Sequence, residues 1–154
     1  MKHLSTFVFI LIAIGLQADE IDIHADHFYA NDINKQAYFE GNAEVIQRAN
    51  RFNADKIVVH FNQQRKAIKY EAMGSVKFDI TENEIHYKGK AQTITYAPND
   101  SKYYFSGDVV LEDLTNKRKI EAEEVSLDLK TGLADIKGNK ERPVHFKFEI
   151  EDRK

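Results

Sequence analysis

Three glycines, Gly41, Gly74 and Gly107, stand 33 residues apart, and Gly138 follows 31 residues later. Each sits in a similar frame: an aromatic or apolar residue, the glycine, then a run alternating polar and apolar residues. The instances are Phe39-Glu40-Gly41-Asn42-Ala43-Glu44-Val45, Ala72-Met73-Gly74-Ser75-Val76-Lys77-Phe78 and Phe105-Ser106-Gly107-Asp108-Val109-Val110-Leu111. A fixed period of this size marks a chain built from copies of one small unit. A second frame falls between the glycines, a small residue and usually an acid ahead of another strand. It reads Ala25-Asp26, Ala54-Asp55 and Ala122-Glu123, with Gly89-Lys90 as the degenerate third copy. Each unit is therefore expected to carry three or four short strands. A glycine inside a strand permits a bulge or a sharp bend, and repeating that bend curls a long antiparallel sheet.

The alternation itself has period two, the signature of half-buried strands. Ile57, Val59 and Phe61 alternate with Val58 and His60; Val76, Phe78 and Ile80 with Lys77 and Asp79; Ile94 and Tyr96 with Thr95. Val125, Leu127 and Leu129 alternate with Ser126 and Asp128, and Val144, Phe146, Phe148 and Ile150 with His145, Lys147 and Glu149. No stretch sustains helical spacing over three turns. Turn clusters at 31–35, 62–65, 97–101 and 130–132 punctuate the runs. A unit this small cannot bury its apolar face alone, whereas stacked neighbours can. The expected fold is all-β: a twisted, open β-jelly-roll of two facing antiparallel sheets built from repeats of about 33 residues. A four-bladed propeller competes, but needs about 40 residues per blade.

Composition narrows the function. Across 154 residues, 42% are hydrophobic and 31% charged, enough for a core in a soluble chain. A net charge of −3 argues against a general nucleic-acid binder, which needs a basic surface. With no cysteine there is no disulfide, thiolate metal site or cysteine nucleophile.

Residues 1–18 read as a cleavable signal peptide. Lys2 precedes an apolar run from Leu4 to Leu16, and Ala18 is a plausible last residue before cleavage. The run is shorter than the roughly 20 residues that cross a bilayer as a helix. The alternative is an uncleaved anchor. Residues 19–154 then form one domain.

Constellations for chemistry are weak. His24 and His27 stand near Asp22 and Asp26, but residues three apart on a strand face opposite ways unless the backbone bulges. Ser75 follows Gly74 without a Gly-x-Ser-x-Gly frame, and no phosphate-binding glycine loop is present. The reading is not an enzyme, with no cofactor and no metal.

The Gly-Asn-x-x-Val piece at 41–45 and the Asn-Ala-Asp-Lys-hydrophobic piece at 53–59 resemble the OstA-like family of periplasmic lipopolysaccharide-bridge proteins. The resemblance covers about residues 21–138. It implies a jelly-roll that shields acyl chains while lipopolysaccharide passes from the inner to the outer membrane. A covered apolar path answers an energetic need. Each buried CH₂ is worth about 0.8 kcal/mol, so a chain of about a dozen carbons resists water by roughly 10 kcal/mol.

On the resemblance, Ile21 and Ile23 match an apolar pair near the groove entrance, and Phe61, Phe78 and Tyr96 fall where groove-lining side chains stand. At Phe61 the best-known members carry a polar residue. Val59, Val76 and Ile94 share the faces of these three by alternation. From the residues alone, all eight read first as the core of a closed sandwich; the resemblance turns that reading toward a groove for the set, though not for each residue. Residues 21–30 and 144–150 are candidate edge strands, open to strand addition by another copy or a partner. The resemblance implies an LptC-like inner-membrane protein at the N-terminal edge, an LptD-like outer-membrane protein at the C-terminal edge, and head-to-tail self-association. The rivals are a membrane-tethered LptC-like component and a structural β-repeat protein with a closed core.

Overall fold

The computed structural model describes residues 21–82, 84–128 and 130–150, and every regular element in them is a strand. In chain order these are β1 (Ile21–His24), β2 (His27–Asn31), β3 (Gln36–Gln47), β4 (Asn50–Phe61) and β5 (Ala67–Glu82). There follow β6 (Ile85–Ala97), β7 (Lys102–Asp113), β8 (Arg118–Asp128), β9 (Leu133–Lys137) and β10 (His145–Phe148). They form one open antiparallel sheet. At one edge β1 and β2 both pair with β3; at the other, β9 and β10 both pair with β8.

Each 33-residue unit is thus two long bent strands rather than three or four short ones. The bend comes from the repeated glycines. Gly41, Gly74 and Gly107 have φ of 83°, 83° and 84°, and Asn42, Ser75 and Asp108 after them have 47°, 46° and 47°. The register jumps across each pair: from Glu40–Lys56 to Ala43–Ala54, from Met73–Thr93 to Val76–Ala91, and from Ser106–Glu124 to Val109–Ala122. Two residues therefore face one, which is a β-bulge; it bends the strand and tightens its twist.

The single residues facing the bulges are Asp55, Gln92 and Glu123. The third copy of the small-residue frame is therefore Ala91-Gln92, not Gly89-Lys90. The period is readable, but the acid of the other copies is an amide at Gln92, and Gly89 lies two residues ahead of the frame. Asp26 stands at the same level ahead of β3. Its backbone N–H donates to the Gly41 carbonyl at 2.8 Å, and the Asn42 amide donates to its carboxylate at 3.1 Å, so the chain turns between β1 and β2. Gly138 keeps its place in the frame but not the conformation. It follows Lys137, the partner of Glu124, and opens an excursion before β10 rejoins β8 at Glu121. Arg142 of that excursion pairs with Asp108 in the β7 bulge.

Because the bends line up, the sheet folds over itself into two facing layers. Wall A holds β1, β10, the first halves of β4, β6 and β8, and the second halves of β3, β5 and β7. Wall B holds β2, β9 and the remaining halves. The core lies along the fold. Val76, Val109 and Val125 are wholly buried there, with alanines at 43, 54, 91 and 122 where the walls converge, and Val59 is wholly buried one step further out in wall B. Small side chains suit that corner because the layers leave little depth.

The expected turn clusters all close the wall B ends. Asn31 and Asn62 accept backbone N–H bonds through their side-chain oxygens, Ile33 N–H at 2.9 Å and Lys66 N–H at 3.0 Å. Among the described residues the first and last strands do not pair with each other, so the sheet does not close into a barrel and both of its edges stay open.

Candidate functional site

Register places one apolar row across the inner face of wall A. It runs Ile23, Val45, Phe52, Phe78, Gly89, Leu111, Ile120 and Phe146, one residue per strand. At about 4.8 Å between strands, it spans about 34 Å. None of these side chains is fully buried, and Phe146 at the far edge is 50% exposed. A row of this length facing inward yet half-open is unusual for a sandwich core.

Wall B differs in depth and chemistry. Beside the bend, Phe39, Ile57, Ile94, Phe105 and Val125 are buried. One step outward the inner row reads Val59, Tyr70, Tyr96, Tyr103 and Leu127. Its tyrosines stack, Tyr70 on Tyr96 at 6.2 Å and Tyr96 on Tyr103 at 4.3 Å between ring centroids. The walls meet through Phe78 and Phe105, whose rings lie 6.1 Å apart. Phe78 also stacks along wall A on Phe52 at 6.3 Å.

The anticipated site residues divide between these levels. Ile23 and Phe78 share the half-open row of wall A, and Tyr96 is half-buried in the tyrosine row. Val59, Phe61, Val76 and Ile94 are buried at 4% exposure or less and help hold the walls together. Val59 and Tyr96 occupy the same inner row, and Val76 and Phe78 the same strand face, as alternation requires. Of Ile21 only the backbone is described, paired with Gln47. Residues 1–18 lie outside the described residues.

Sequence reasoning passed over Val45, Phe52, Leu111 and Ile120. The signal was available. Ile23, Phe52 and Ile120 each stand two residues before the alanine of the second frame, and Val45, Phe78 and Leu111 each stand two after the residue that closes the bulge.

Charge is kept to the rim and the outer faces. At the wall A end Asp113, 7% exposed, accepts the Arg118 guanidinium at 2.6 Å and the Asn116 backbone N–H at 2.9 Å. Burial pushes its carboxyl up, but the bonds from Arg118 and Asn116 outweigh that and hold it at about 2. Outside wall B, Glu40 accepts the Tyr29 hydroxyl at 2.9 Å and pairs with Lys56 at 3.1 Å; both bonds keep it below the usual carboxylate range. His60 meets Glu71 at 2.5 Å and His86 meets Asp79 at 2.6 Å, both on outer faces. His24 and His27 are exposed on either side of the turn at Asp26, His24 opposite Glu44 and His27 opposite Glu40.

The family model described as LptA/(LptD N-terminal domain) LPS transport protein matches residues 22–133. The chain belongs to this family. The matched span takes in the bulges of β3, β5 and β7 and wall A from β1 to β8. The crystal structure of LptH from Pseudomonas aeruginosa is described as the LptA-homologous periplasmic component of the conserved lipopolysaccharide transport device. It matches with a TM-score of 0.69 at 13% identity, covering 85% of this chain and 96% of that one. At that identity the likeness is one of fold, and it agrees with the open jelly-roll. No curated protein sequence matches the chain.

Proposed function

We propose that this protein is a periplasmic bridge component that binds lipopolysaccharide and shields its acyl chains on the way from the inner to the outer membrane. The observation that carries this is the half-open apolar row of wall A, running from Ile23 to Phe146 across a sheet open at both edges. An acyl chain laid along it removes hydrocarbon from water at about 0.8 kcal/mol per CH₂. Phe78, Tyr96 and Ile23 offer surface at once. Val59, Phe61, Val76 and Ile94 become lipid contacts only as the walls separate, and Ile21 is a further contact at the entrance. The protein supplies a path and no bond-making chemistry, so the driving energy comes from elsewhere.

The chain is exported on residues 1–18 and cut after Ala18. β1 and β2 form the edge that meets an LptC-like inner-membrane protein, and β10 the edge that meets an LptD-like outer-membrane protein. Joining the β10 edge of one copy to the β1 edge of the next gives a head-to-tail contact that does not close on itself. Membership of a lipopolysaccharide-transport family and the exposed Phe146 and Phe148 at that edge, 50% and 55% open, support this arrangement.

The test is to purify the exported chain, measure its intact mass, and mix it with lipopolysaccharide before gel filtration. A mass beginning at Asp19 and co-elution with the lipid are expected. A retained apolar leader points to the tethered relative, and no lipid at any protein concentration removes the carrier reading.

A further inference from the structure

The oxygen of the Tyr70 hydroxyl is enclosed in the interior and has no hydrogen-bond partner among the described residues. Its neighbours in the inner row of wall B are Val59, which offers no polar atom, and Tyr96, which meets it ring to ring. Burial, with the neighbouring Tyr96 adding to it, pushes this hydroxyl above the ordinary tyrosine range, so it stays a neutral O–H donor. A phenylalanine would fill the same space and stack on Tyr96 without leaving a donor unpaired. Packing therefore does not account for the oxygen, and an orphaned buried hydroxyl raises the energy of the state that encloses it.

We propose that Tyr70 is a specificity-determining residue, and that its hydroxyl donates to the carbonyl oxygen of an acyl linkage when the walls part around a lipid. This rests on the carrier reading above. The placement suits it. Tyr70 is the fourth residue of β5, about 10 Å in from the turn that precedes the strand. A linkage bound there leaves the headgroup at the rim while the chain continues past Phe105 toward the fold. The same orphaned hydroxyl favours opening, because separation of the walls lets it find a partner.

The test compares the protein with Tyr70→Phe against two water-soluble probes below their micelle concentrations. Sucrose monomyristate carries an ester carbonyl; tetradecyl maltoside has a chain of equal length and none. We expect Y70F to melt higher when empty, to bind the ester about tenfold more weakly, and to bind the alkyl glycoside as before. Equal weakening for both probes, or none for either, overturns the assignment of Tyr70 while leaving the carrier intact. Failure of the unmutated protein to bind either probe overturns both.

Discussion

The ring of Phe78 lies over Gly89, its register partner on β6, so closely that a methyl group added to Gly89 would sit 2.4 Å from the ring Cζ. The same methyl would stand 2.7 Å from the Val110 carbonyl oxygen. Gly89 is thus a seat for an aromatic ring rather than a bend. Gly89→Val should evict Phe78 into the groove and strain the β6–β7 pairing, costing about 1–3 kcal/mol. Denaturant titration measures the loss, and lipid binding should fall with it. Phe78→Asp, which puts a charge into the apolar interior, should weaken lipid binding in a folded protein. Unchanged binding there would remove Phe78 from the groove.

The bulges are expected to be costly to alter. At Gly74 the backbone needs φ of 83°, and an added Cβ would meet Asp55 Oδ2 at 2.3 Å. Gly132 has φ of 75° but nothing within 4 Å. Both glycines share the backbone demand; only Gly74 adds a collision. Gly132→Ala should cost about 1 kcal/mol and Gly74→Ala clearly more, up to about 3 kcal/mol, in paired thermal melts. Equal losses would mean that the bend tolerates a side chain.

Asp113 carries an acid-sensitive part of the stability. Its carboxyl is held at about 2 in the folded protein against an ordinary 3.8. A folded pKa below the unfolded one means this stabilisation is present above about pH 4 and is lost as the pH falls toward 2. Asp113→Asn removes the titrating group. The variant should be less stable at neutral pH, with a shallower loss between pH 4 and 2, read by denaturant midpoints across that range. An identical slope in both proteins would contradict this.

The far edge should matter for assembly and not for folding. Phe146 and Phe148 face the groove side of β10 yet remain half-exposed, their rings 6.0 Å apart and edge-on. Phe146→Asp is expected to leave the melting temperature within a few degrees, since exposed changes seldom exceed about 0.5 kcal/mol. It should abolish concentration-dependent growth in sedimentation velocity. Undiminished self-association would move the contact elsewhere.

Much of this fold was legible because the bend has a chemical requirement that only certain residues meet. Gly41, Gly74 and Gly107 announce positive φ, and alternation on either side assigns faces, so Val76 and Phe78 fall inward together as expected. The hairpins at 48–49 and 114–117 were not legible. Arg48 and Lys117 take positive φ without glycine or proline to mark the turn. Depth was not legible either. Val59 in wall B is wholly buried and Phe78 in wall A half-open, although the same alternation governs both and each lies one step out from the bend, so burial depends on the wall as well as on the face. Val58 shows the opposite failure. It points away from the core beside Tyr38 and Glu71, yet is only 5% exposed, because long outer side chains cover it. The unpaired Tyr70 hydroxyl left no trace in the sequence, since a stacked tyrosine with and without a partner reads the same.

On the carrier reading, acyl chains occupy the space between the two walls. A photo-crosslinking residue at Phe78, compared with one at Lys77 on the opposite face of the same strand, tests it most directly in cells that make lipopolysaccharide. Lipopolysaccharide adducts are expected at 78, and at Tyr96 across the gap, with none at 77. Silence at both inward positions in a folded, exported protein, or equal labelling at 77, would contradict it.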